Sequence, residues 1–350
     1  MIFFQSIFLD SIILIFIYLI FKKNSILIDN VSFSIHKKIG ARNSSPIVLG
    51  GFYLLITTLL HFKSLIYEVQ ILLVLICIIG VMSDRNIISN TIFRFILQIL
   101  LISFLVYFGN LSIKDLRVDF INHLLENRTF NLIFTVFCIA VLMNGNNFID
   151  GLNGLITGYY LFVILSILFV TSYNSHITIN DDDLLFIKIF FFTLVIFYIP
   201  NIFGKIYMGD GGSYIIASII GFYLIKFYQL NNLISPFYIT LLLWYPAFEN
   251  LFSLVRRIRT NNNISEPDNK HLHHLIYRFV KLKKYFNHKF INYLSSIVIL
   301  IFNLPSFILS SIYYSDTLKL MFLLIFNISF YCLVYFRISK EFRLKNNENL

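Results

Sequence analysis

Apolar residues run along this chain in long segments that are separated by short polar stretches. Most segments are close to the roughly 20 residues that a helix needs to cross a hydrocarbon layer of about 30 Å. They are apolar on all sides, so both lipid and other helices can surround them. Strands of a membrane barrel, at roughly 10 residues, are too short for this pattern. The sequence therefore predicts an all-α integral membrane protein, a polytopic bundle with about eleven transmembrane helices near residues 2–21, 46–62, 66–82, 92–109, 129–143, 154–173, 184–200, 213–229, 234–255, 288–310 and 317–336.

The composition changes this picture only by excluding a water-soluble protein. Of the 350 residues, 58% are hydrophobic and 13% are charged, and the mean hydropathy is +0.78. A soluble domain of this length cannot bury so much apolar surface. No fixed repeat or soluble domain interrupts the pattern. We therefore expect a single transmembrane domain over residues 1–350, with residues 256–287 as its largest cytoplasmic loop.

The basic residues predict the orientation in the membrane. If the N-terminus lies outside, 21 of the 28 lysines and arginines fall in cytoplasmic segments, in agreement with the positive-inside rule. An odd number of helices then places the C-terminus in the cytoplasm. The first helix has no basic segment before it, so we expect it to be retained and not cleaved. The net charge of +10 favours anionic lipid or a phosphorylated substrate, and its spread over membrane loops argues against nucleic-acid binding.

The distinctive polar stretches all fall on the predicted cytoplasmic side. They are "SDRNIISNT" at 83–91, "NGNNFIDGLN" at 144–153, "NIFGKIYMGDGGS" at 201–213 and "SEPDNKHLHHLIYR" within 256–287. Asp84, Asp150 and Asp210 each lie at the inner end of a predicted helix, and three converging carboxylates would suit a hard divalent cation. The Gly-Asp-Gly-Gly turn leads into a helix, whose first amides favour an anion. Together these stretches indicate a magnesium and phosphate site.

Each stretch, taken alone, is also typical of ordinary structure. Asp-Gly pairs occur in many turns, and Asn144, Asn147 and Asn153 could cap helices or bond to the backbone. The histidines of "HLHH" could form a solvated face, and the sequence has no paired cysteines or HExxH spacing that would indicate zinc. The combination, in this order and on one membrane face, is what favours a functional site.

Four motifs resemble those of the polyprenyl-phosphate N-acetylhexosamine-1-phosphate transferases, the family of the MraY- and WecA-type enzymes. "NGNNFIDGLNGL" is similar to the family's NxxNxxDGxDGL pattern, "MGDGGSY" to GDxGS, "HLHH" to HxHH, and "SDRNIIS" to the loop with an acidic pair. "GARNSSPIVLGG" resembles the stretch with a glycine pair that opens the second helix. The resemblance covers nearly the whole chain, and the WecA-like branch fits best.

The resemblance implies a phosphoglycosyl transferase in the bacterial cytoplasmic membrane, with its active site facing the cytoplasm. Undecaprenyl phosphate attacks the β-phosphorus of a UDP-N-acetylhexosamine, sugar 1-phosphate passes to the lipid, and UMP leaves. Mg²⁺ is the implied cofactor, with Mn²⁺ as the alternative, and some members form homodimers. The product would prime synthesis of O-antigen or another surface polysaccharide. The sequence does not identify the sugar.

Carried over residue by residue, the resemblance implies a site built from few side chains. Asp210 would be the principal metal ligand, and Asp84 would be the second, near the lipid phosphate. The implied catalytic residues are Asp84, Asp150, Asp210 and His271. The implied substrate-binding residues are Arg94, Asn144, Asn147, Asn153, Lys205, Gly209, Gly211, Ser213, His273 and His274.

Three positions depart from the family pattern. Ser83 replaces the first of two adjacent acids, Asn153 replaces the second Asp of DGxDGL, and Arg94 stands where the following helix often has lysine. A phosphate monoester loses its second proton near about pH 6, so the lipid phosphate needs no base at neutral pH. We therefore expect weak to normal activity, with Asp84 and Asp210 essential.

Three alternatives remain open. The main rival is the MraY branch, which carries a pentapeptide substrate and has HHHxE and DGLDGL motifs; the others are an inactive relative and a transporter. Transporters usually place ionisable residues near the membrane midplane, and here only Glu249, after Pro246 in the ninth predicted helix, suggests this. We expect Glu249 to face a lipid groove or a basic partner, or to pair with Arg256 or Arg257.

Overall fold

The computed structural model describes residues 2–28, 46–260, 270–282 and 288–347. Within these ranges the chain forms thirteen α-helices and two short strands. In chain order they are α1 (Ile2–Lys23), β1 (Ile47–Val48), α2 (Gly50–His61), α3 (Tyr67–Asp84), α4 (Thr91–Phe108), α5 (Asp119–Leu125), α6 (Arg128–Ile149), α7 (Leu155–Tyr173), α8 (Asp181–Ile202), β2 (Ile206–Tyr207), α9 (Gly209–Leu230), α10 (Pro236–Arg259), α11 (Leu272–Leu282), α12 (His288–Ile312) and α13 (Thr317–Asn347). The prediction of an all-α protein is confirmed apart from β1 and β2, a parallel pair in which Ile47 lies opposite Ile206.

Nine helices in the described ranges are long and apolar enough to cross a membrane, so the chain is a polytopic helical membrane protein. They are α1, α3, α4, α6, α7, α8, α9, α12 and α13. Each of the eleven predicted spans coincides with a helix. However, α2 has only 12 residues, and α10 carries Glu249 and three arginines in its last turn; neither belongs to the nine. The short helices α5 and α11 lie outside the predicted spans.

Several predicted loops are partly helical, which corrects the boundaries near the polar motifs. Ser83 and Asp84 end α3, residues 144–149 form the last turns of α6, and Gly209 already begins α9. Asn and Gly have poor helix propensity, but packing between helices overrides it. The predicted loop 256–287 contains the end of α10 and all of α11. Its residues 261–269 and 283–287 lie outside the described residues, as do residues 40–45 of "GARNSSPIVLGG".

Glycines let α2 and α3 approach the central helix α9. A Cβ atom added to Gly80 in α3 would lie 2.4 Å from the Cα of Gly211. One added to Gly51 in α2 would lie 2.9 Å from the carbonyl carbon of the same residue. Small residues at such interfaces allow helix backbones to pack closely in a membrane. Most of α9 is buried, so the first turn of α9 is held from two sides.

Backbone pairing brings several helix ends together at one end of the bundle, which we call the site end. The segment after α1 bridges to Ile47, and β1 lies parallel to β2, so α2 and α9 begin side by side. Asp84 at the end of α3 reaches the first turn of α9. Gly154, just before α7, donates its amide to the Oδ1 of Asn201 in the last turn of α8, at 3.0 Å. The site end therefore carries the polar motifs of α3 and α9 together.

Candidate functional site

Asp84 and Asp210 meet at the N-terminus of α9. The Oδ1 of Asp84 accepts a hydrogen bond from the backbone amide of Asp210 at 3.0 Å, and its Oδ2 accepts one from the amide of Gly211 at 3.2 Å. Amides in the first turn of a helix have no partner within the helix, and the helix dipole favours a negative charge there. Asp84 therefore caps α9 from a neighbouring helix and fixes the backbone that carries Asp210.

Gly209 is the residue that this contact requires. Its φ is +72°, in the left-handed region that glycine adopts without a steric penalty. An added Cβ atom would lie 2.3 Å from Cγ1 of Val48 and 2.7 Å from Oδ2 of Asp84. Both the backbone conformation and the space at this position exclude a side chain, so the Gly-Asp-Gly-Gly sequence is explained by the approach of Asp84.

Ser83 and Arg94 both contact the carboxylate of Asp210. The Oγ of Ser83 donates a hydrogen bond to Oδ2 of Asp210, and Nη1 of Arg94 donates to the same Oγ. Nη1 of Arg94 also lies 3.3 Å from that Oδ2, and the two charged side chains are 25% and 21% exposed. A hydroxyl and a guanidinium thus surround Asp210 where a second acid would stand in the resembled family, and the group stays accessible from outside the protein.

The structure brings together two of the three predicted carboxylates. Asp150 ends α6 as its C-cap, with its amide donating to the carbonyl of Asn146. Among the described residues, no group of three or more His, Cys, Asp or Glu side chains could hold a metal ion. Magnesium, however, needs only one or two carboxylates when substrate phosphates and water complete its coordination. Asp210, which is partly exposed, and Asp84 at its side fit a magnesium ion of that kind, since each carboxylate has further lone pairs.

Two asparagines of α6 connect this helix to α9. The Nδ2 of Asn147 donates to the hydroxyl of Tyr214 at 3.1 Å, one turn after Asp210 on α9. Asn146, which the sequence prediction omitted, is fully buried; it accepts a hydrogen bond from the Tyr160 hydroxyl at 2.7 Å and reaches the carbonyl of Ser213 at 3.5 Å. Its place inside "NGNN" was the available signal, but nothing distinguished it from its neighbours. These hydrogen bonds hold the asparagine motif of α6 against α9, the helix that carries Asp210.

The other predicted binding residues at this end make contacts that stabilise the fold or lie at the surface. The Nδ2 of Asn144 donates to the carbonyl of Ala140 in its own helix, and the Oγ of Ser213 donates to the carbonyl of Gly209. The backbone amide of Asn153 donates to Asn292 at 2.8 Å. Lys205 is exposed beside β2. The structure therefore gives Ser213 a structural contact within α9 and leaves Lys205 available at the surface.

The three histidines of "HLHH" form a buried cluster on the end of α6. The ring centroids of His273 and His274 are 4.1 Å apart, and the ring of His271 lies 5.6 Å from each. The His271 ring is 4.9 Å from that of Phe148, and a Cβ atom on Gly151 would lie 2.5 Å from Nε2 of His273. The cluster is therefore not a solvated face, and it lies next to the residue that follows Asp150.

The buried surroundings of His273 favour the neutral imidazole. It is fully buried, and neither ring nitrogen has a hydrogen-bond partner among the residues that the structure describes. Burial, together with the neighbouring His274 and His271, lowers the pKa of His273 well below its usual range. A neutral imidazole offers one donor and one acceptor. Polar atoms buried without a partner at this position suit a ligand that supplies the missing hydrogen bonds.

Glu249 contacts the histidine cluster from α10. It is fully buried, and its Oε1 lies 3.0 Å from Nδ1 of His271 and accepts the amide of Leu272 at 3.1 Å. Its Oε2 accepts a hydrogen bond from the hydroxyl of Tyr331 at 2.8 Å. The expectation that Glu249 faces a basic partner is confirmed, with His271 as a partner. Its place after Pro246 in an apolar run made this glutamate conspicuous in the sequence, but it was not among the predicted site residues.

The sequence is similar to a known protein family and to several curated proteins. Residues 66–228 match the model of the family described as Glycosyl transferase family 4. A probable undecaprenyl-phosphate N-acetylglucosaminyl 1-phosphate transferase of Bacillus subtilis (strain 168) is 28% identical over 211 residues, which cover 59% of this chain and 56% of that protein. An undecaprenyl-phosphate alpha-N-acetylglucosaminyl 1-phosphate transferase of Thermotoga maritima is 30% identical over 146 residues, 42% of this chain and 43% of that protein.

The name of a third relative specifies a different lipid. The decaprenyl-phosphate N-acetylglucosaminephosphotransferase of Mycobacterium leprae (strain TN) is 27% identical over 216 residues, covering 56% of this chain and 54% of that protein. The chain thus spans about half the length of the curated relatives that it matches. The family match runs from α3 through most of α9 and contains Asp84, Arg94, Asp150 and Asp210. These similarities agree with the resemblance that the motifs indicated: residues 66–228 match the model of glycosyl transferase family 4, and the chain is similar to the undecaprenyl-phosphate N-acetylglucosaminyl 1-phosphate transferases.

Proposed function

We propose that this protein transfers N-acetylhexosamine 1-phosphate from a UDP-sugar to undecaprenyl phosphate, with release of UMP. The observation that carries the proposal is the pair of Asp84 and Asp210 at the N-terminus of α9. Arg94 contacts the carboxylate of Asp210. A helix N-terminus, a guanidinium and two carboxylates at the end of a transmembrane bundle suit a diphosphate and a metal ion. The names of the relatives support the same reaction.

The proposed orientation places the site end in the cytoplasm of a bacterium and the N-terminus outside. Basic residues support it, because Lys22 and Lys23 end α1, Arg85 follows α3, and Arg256 lies near the end of α10. We propose that α2 and α10 cross the membrane as well, which gives eleven spans and a cytoplasmic C-terminus. A homodimer stays a prediction from the family resemblance.

The side chains of this site neutralise and position the phosphates. Phosphoryl transfer depends mainly on positioning and on charge stabilisation. Arg94 has five N–H donors in a planar fork, so its guanidinium can bind a phosphate oxygen while it holds Asp210. Asp84 keeps the first turn of α9 in place, and His273 offers hydrogen bonds without charge. A magnesium ion held by Asp210 and Asp84 would add neutralisation of the diphosphate.

The lipid phosphate attacks directly in this proposal. Because a phosphate monoester is largely a dianion at neutral pH, it needs no general base. The Ser83 hydroxyl donates a hydrogen bond to Asp210 and accepts one from Arg94, so its oxygen is already engaged and is a poor nucleophile. A covalent enzyme intermediate is therefore unnecessary, and the missing acid at position 83 does not prevent the reaction.

A transfer assay with a panel of donors tests the proposal. The purified protein, in nanodiscs with undecaprenyl phosphate, is given UDP-GlcNAc, UDP-GalNAc and UDP-MurNAc-pentapeptide, and UMP and lipid-linked sugar are measured with Mg²⁺, with Mn²⁺ and with EDTA. We expect a UDP-N-acetylhexosamine to react, and only with metal. Asp84→Asn and Asp210→Asn should abolish transfer, whereas Asp316→Asn, which loses an exposed pair with Lys319, should not. Transfer only from the pentapeptide donor would favour the MraY branch, and no transfer from any donor would refute the proposal.

A further inference from the structure

Glu249 is a buried acidic side chain that has no role in the proposed reaction as described above. Its side chain has no exposed surface, and a buried carboxylate is costly unless it is paired and hydrogen-bonded. The three donors described above, on His271, Leu272 and Tyr331, supply these bonds. They come from the start of α11 and from α13, so Glu249 joins three elements that are distant in sequence. Such a residue either stabilises the packing of these helices or fixes the orientation of the His271 ring.

The shared oxygen favours support for the histidine. Oε1 receives both Nδ1 of His271 and the amide of Leu272, the first residue of α11. A carboxylate at the N-terminus of a helix stabilises that terminus, so Glu249 fixes the helix that carries the cluster. A carboxylate oxygen at 3.0 Å accepts a hydrogen bond from Nδ1 when that nitrogen carries the proton, so this contact favours that tautomer and fixes the plane of the ring. One oxygen atom thus contacts both the His271 ring and the first turn of α11.

The surroundings of His271 point toward the proposed site. Its ring packs on that of Phe148, the second residue before the C-cap Asp150 of α6, and on His273. On the other side of Glu249, the Tyr331 ring packs against those of Phe248 and Phe252, at 5.0 and 5.4 Å. The carboxylate therefore has a polar side that faces the cluster and an aromatic side that faces α13. The two sides can be perturbed separately.

We propose that Glu249 is a positioning residue for the transfer reaction: it holds His271 with Nδ1 protonated and so directs the opposite ring atom, Nε2, to the diphosphate of the UDP-sugar. This inference rests on the proposed function. A carboxylate behind a histidine fixes its orientation in many sites, and loss of such a partner typically costs about 10- to 100-fold in activity. Glu249 touches no substrate in this scheme and acts only through His271.

Two substitutions and a matched control separate positioning from a structural tie. Glu249→Gln keeps an acceptor oxygen for His271 and Leu272 but removes the charge, whereas Glu249→Met removes the acceptor at similar volume. Tyr331→Phe removes only the donor to Oε2. We expect kcat to fall about 10-fold in Glu249→Gln and about 100-fold in Glu249→Met, with KM for the UDP-sugar unchanged and with Tyr331→Phe close to wild type. Equal losses in Tyr331→Phe and Glu249→Gln would overturn the proposal.

A double-mutant cycle with His271→Asn gives the decisive kinetic result. If Glu249 acts only through His271, Glu249→Gln has no further effect once the histidine is gone. Additive losses would instead show that the glutamate acts by another route, and the proposal would fail. Thermal unfolding of each variant in detergent shows whether it folds. If Glu249→Met does not fold, Glu249→Gln, which keeps the acceptor oxygen, still tests the proposal.

A spectroscopic measurement tests the same contact without activity. In ¹⁵N-histidine-labelled protein, the His271 signals are identified by their absence in His271→Asn. We expect a protonated Nδ1 in the wild type and in Tyr331→Phe, and its loss in Glu249→Met. If the wild type transfers no sugar, the proposed function fails, and this spectrum still decides the contact: an Nδ1 proton that persists in Glu249→Met overturns the positioning role.

Discussion

Gly80→Ala is the substitution for which the structure predicts the largest effect from the smallest change. Gly80 lies in α3, one turn before Asp84, where α3 packs on the first turn of α9. The added Cβ atom would lie 2.4 Å from Cα of Gly211, 2.6 Å from its nitrogen and 3.0 Å from the carbonyl carbon of Asp210. All three are backbone atoms, so no side chain can rotate away. The helices themselves have to separate.

The required separation is comparable to the tolerance of the site. Carbon atoms in contact prefer about 3.5 to 4.0 Å, so α3 and α9 must move apart by about 1 Å. The two hydrogen bonds from α9 to Asp84, at 3.0 and 3.2 Å, would then approach about 4 Å and be lost. Overpacking costs about 1 to 3 kcal/mol, partly offset by the roughly 1 kcal/mol better helix propensity of alanine. A misplacement of about 1 Å in a catalytic group can cost about 100-fold in rate.

The prediction is therefore a large loss of activity with a small loss of stability. Sugar-phosphate transfer to undecaprenyl phosphate and thermal unfolding in the same detergent measure the two quantities. Gly221→Ala is the matched control, because it also lies in α9 but its added Cβ atom would have its nearest neighbours, on Ile139 and Leu142, at 3.7 to 3.9 Å. That is an ordinary contact distance, so the control should keep full activity and gain slightly in stability.

Transfer of sugar phosphate by Gly80→Ala at the wild-type rate would refute this prediction. Such a result would mean that α3 and α9 need not touch through Gly80, and that the hydrogen bonds of Asp84 do not position Asp210. An equal loss in Gly221→Ala would also contradict it, because the loss would then come from helix glycines in general. A Gly80→Ala protein that does not fold would show that the overpacking cost exceeds the range used here.

Two further predictions concern charge at the site. Ser83→Asp alone should give no gain in UMP release, whereas Arg94→Lys alone should lower the rate of UMP release about 10-fold, which corresponds to one charge-assisted hydrogen bond of about 1.5 kcal/mol. Adding Ser83→Asp to Arg94→Lys should recover most of this loss. A clear gain in Ser83→Asp alone would contradict the role assigned to Arg94. Because the pKa of His273 is well below its usual range, the unfolded chain binds a proton that the folded protein does not, and stability falls as the pH drops below about 6.5, by up to about 1.4 kcal/mol per pH unit. His273→Asn should flatten this acid limb in thermal unfolding measured down to about pH 5.5, and the exposed His176→Asn should leave it unchanged.

The transmembrane helices were predictable because a lipid-like composition is a local property of the sequence. Each apolar run had to satisfy its backbone within itself, so each became a helix. The boundaries were not local. "NGNNFI" was placed in a loop because it is a polar stretch between apolar runs, but Gly145 lets α6 approach Pro246 closely, and the Tyr160 hydroxyl donates a hydrogen bond to Asn146. Neighbouring helices supply those contacts, and a single segment does not contain them.

Site residues were predictable to the extent that they belong to motifs. Asp84, Asp210 and Arg94 were expected and do meet, and the histidines of "HLHH" do cluster. The partner of His271 could not be derived from spacing, because Glu249 lies 22 residues earlier in another helix. A glutamate in an apolar run indicated that its carboxyl group needs a hydrogen-bonding or charged partner. Several basic residues nearby were equally good candidates for that partner. The folded chain selects His271, because the segment that begins α11 reaches Glu249 through His271 and the amide of Leu272.

The two departures at Ser83 and Arg94 are one change in the structure, although they are 11 residues apart in sequence. Both side chains reach the same oxygen, Oδ2 of Asp210. A carboxylate at position 83 would place two like charges beside each other, and a compact ammonium group could lie between them. With a hydroxyl there, a single carboxylate remains, and the planar guanidinium binds the hydroxyl and that carboxylate together. The exchange lowers the negative charge near Asp210 and keeps a cation in contact with it. The loss of an acid at position 83 is therefore not by itself a sign of an inactive relative, since Asp210 keeps its orientation through Ser83, Arg94 and the capping by Asp84.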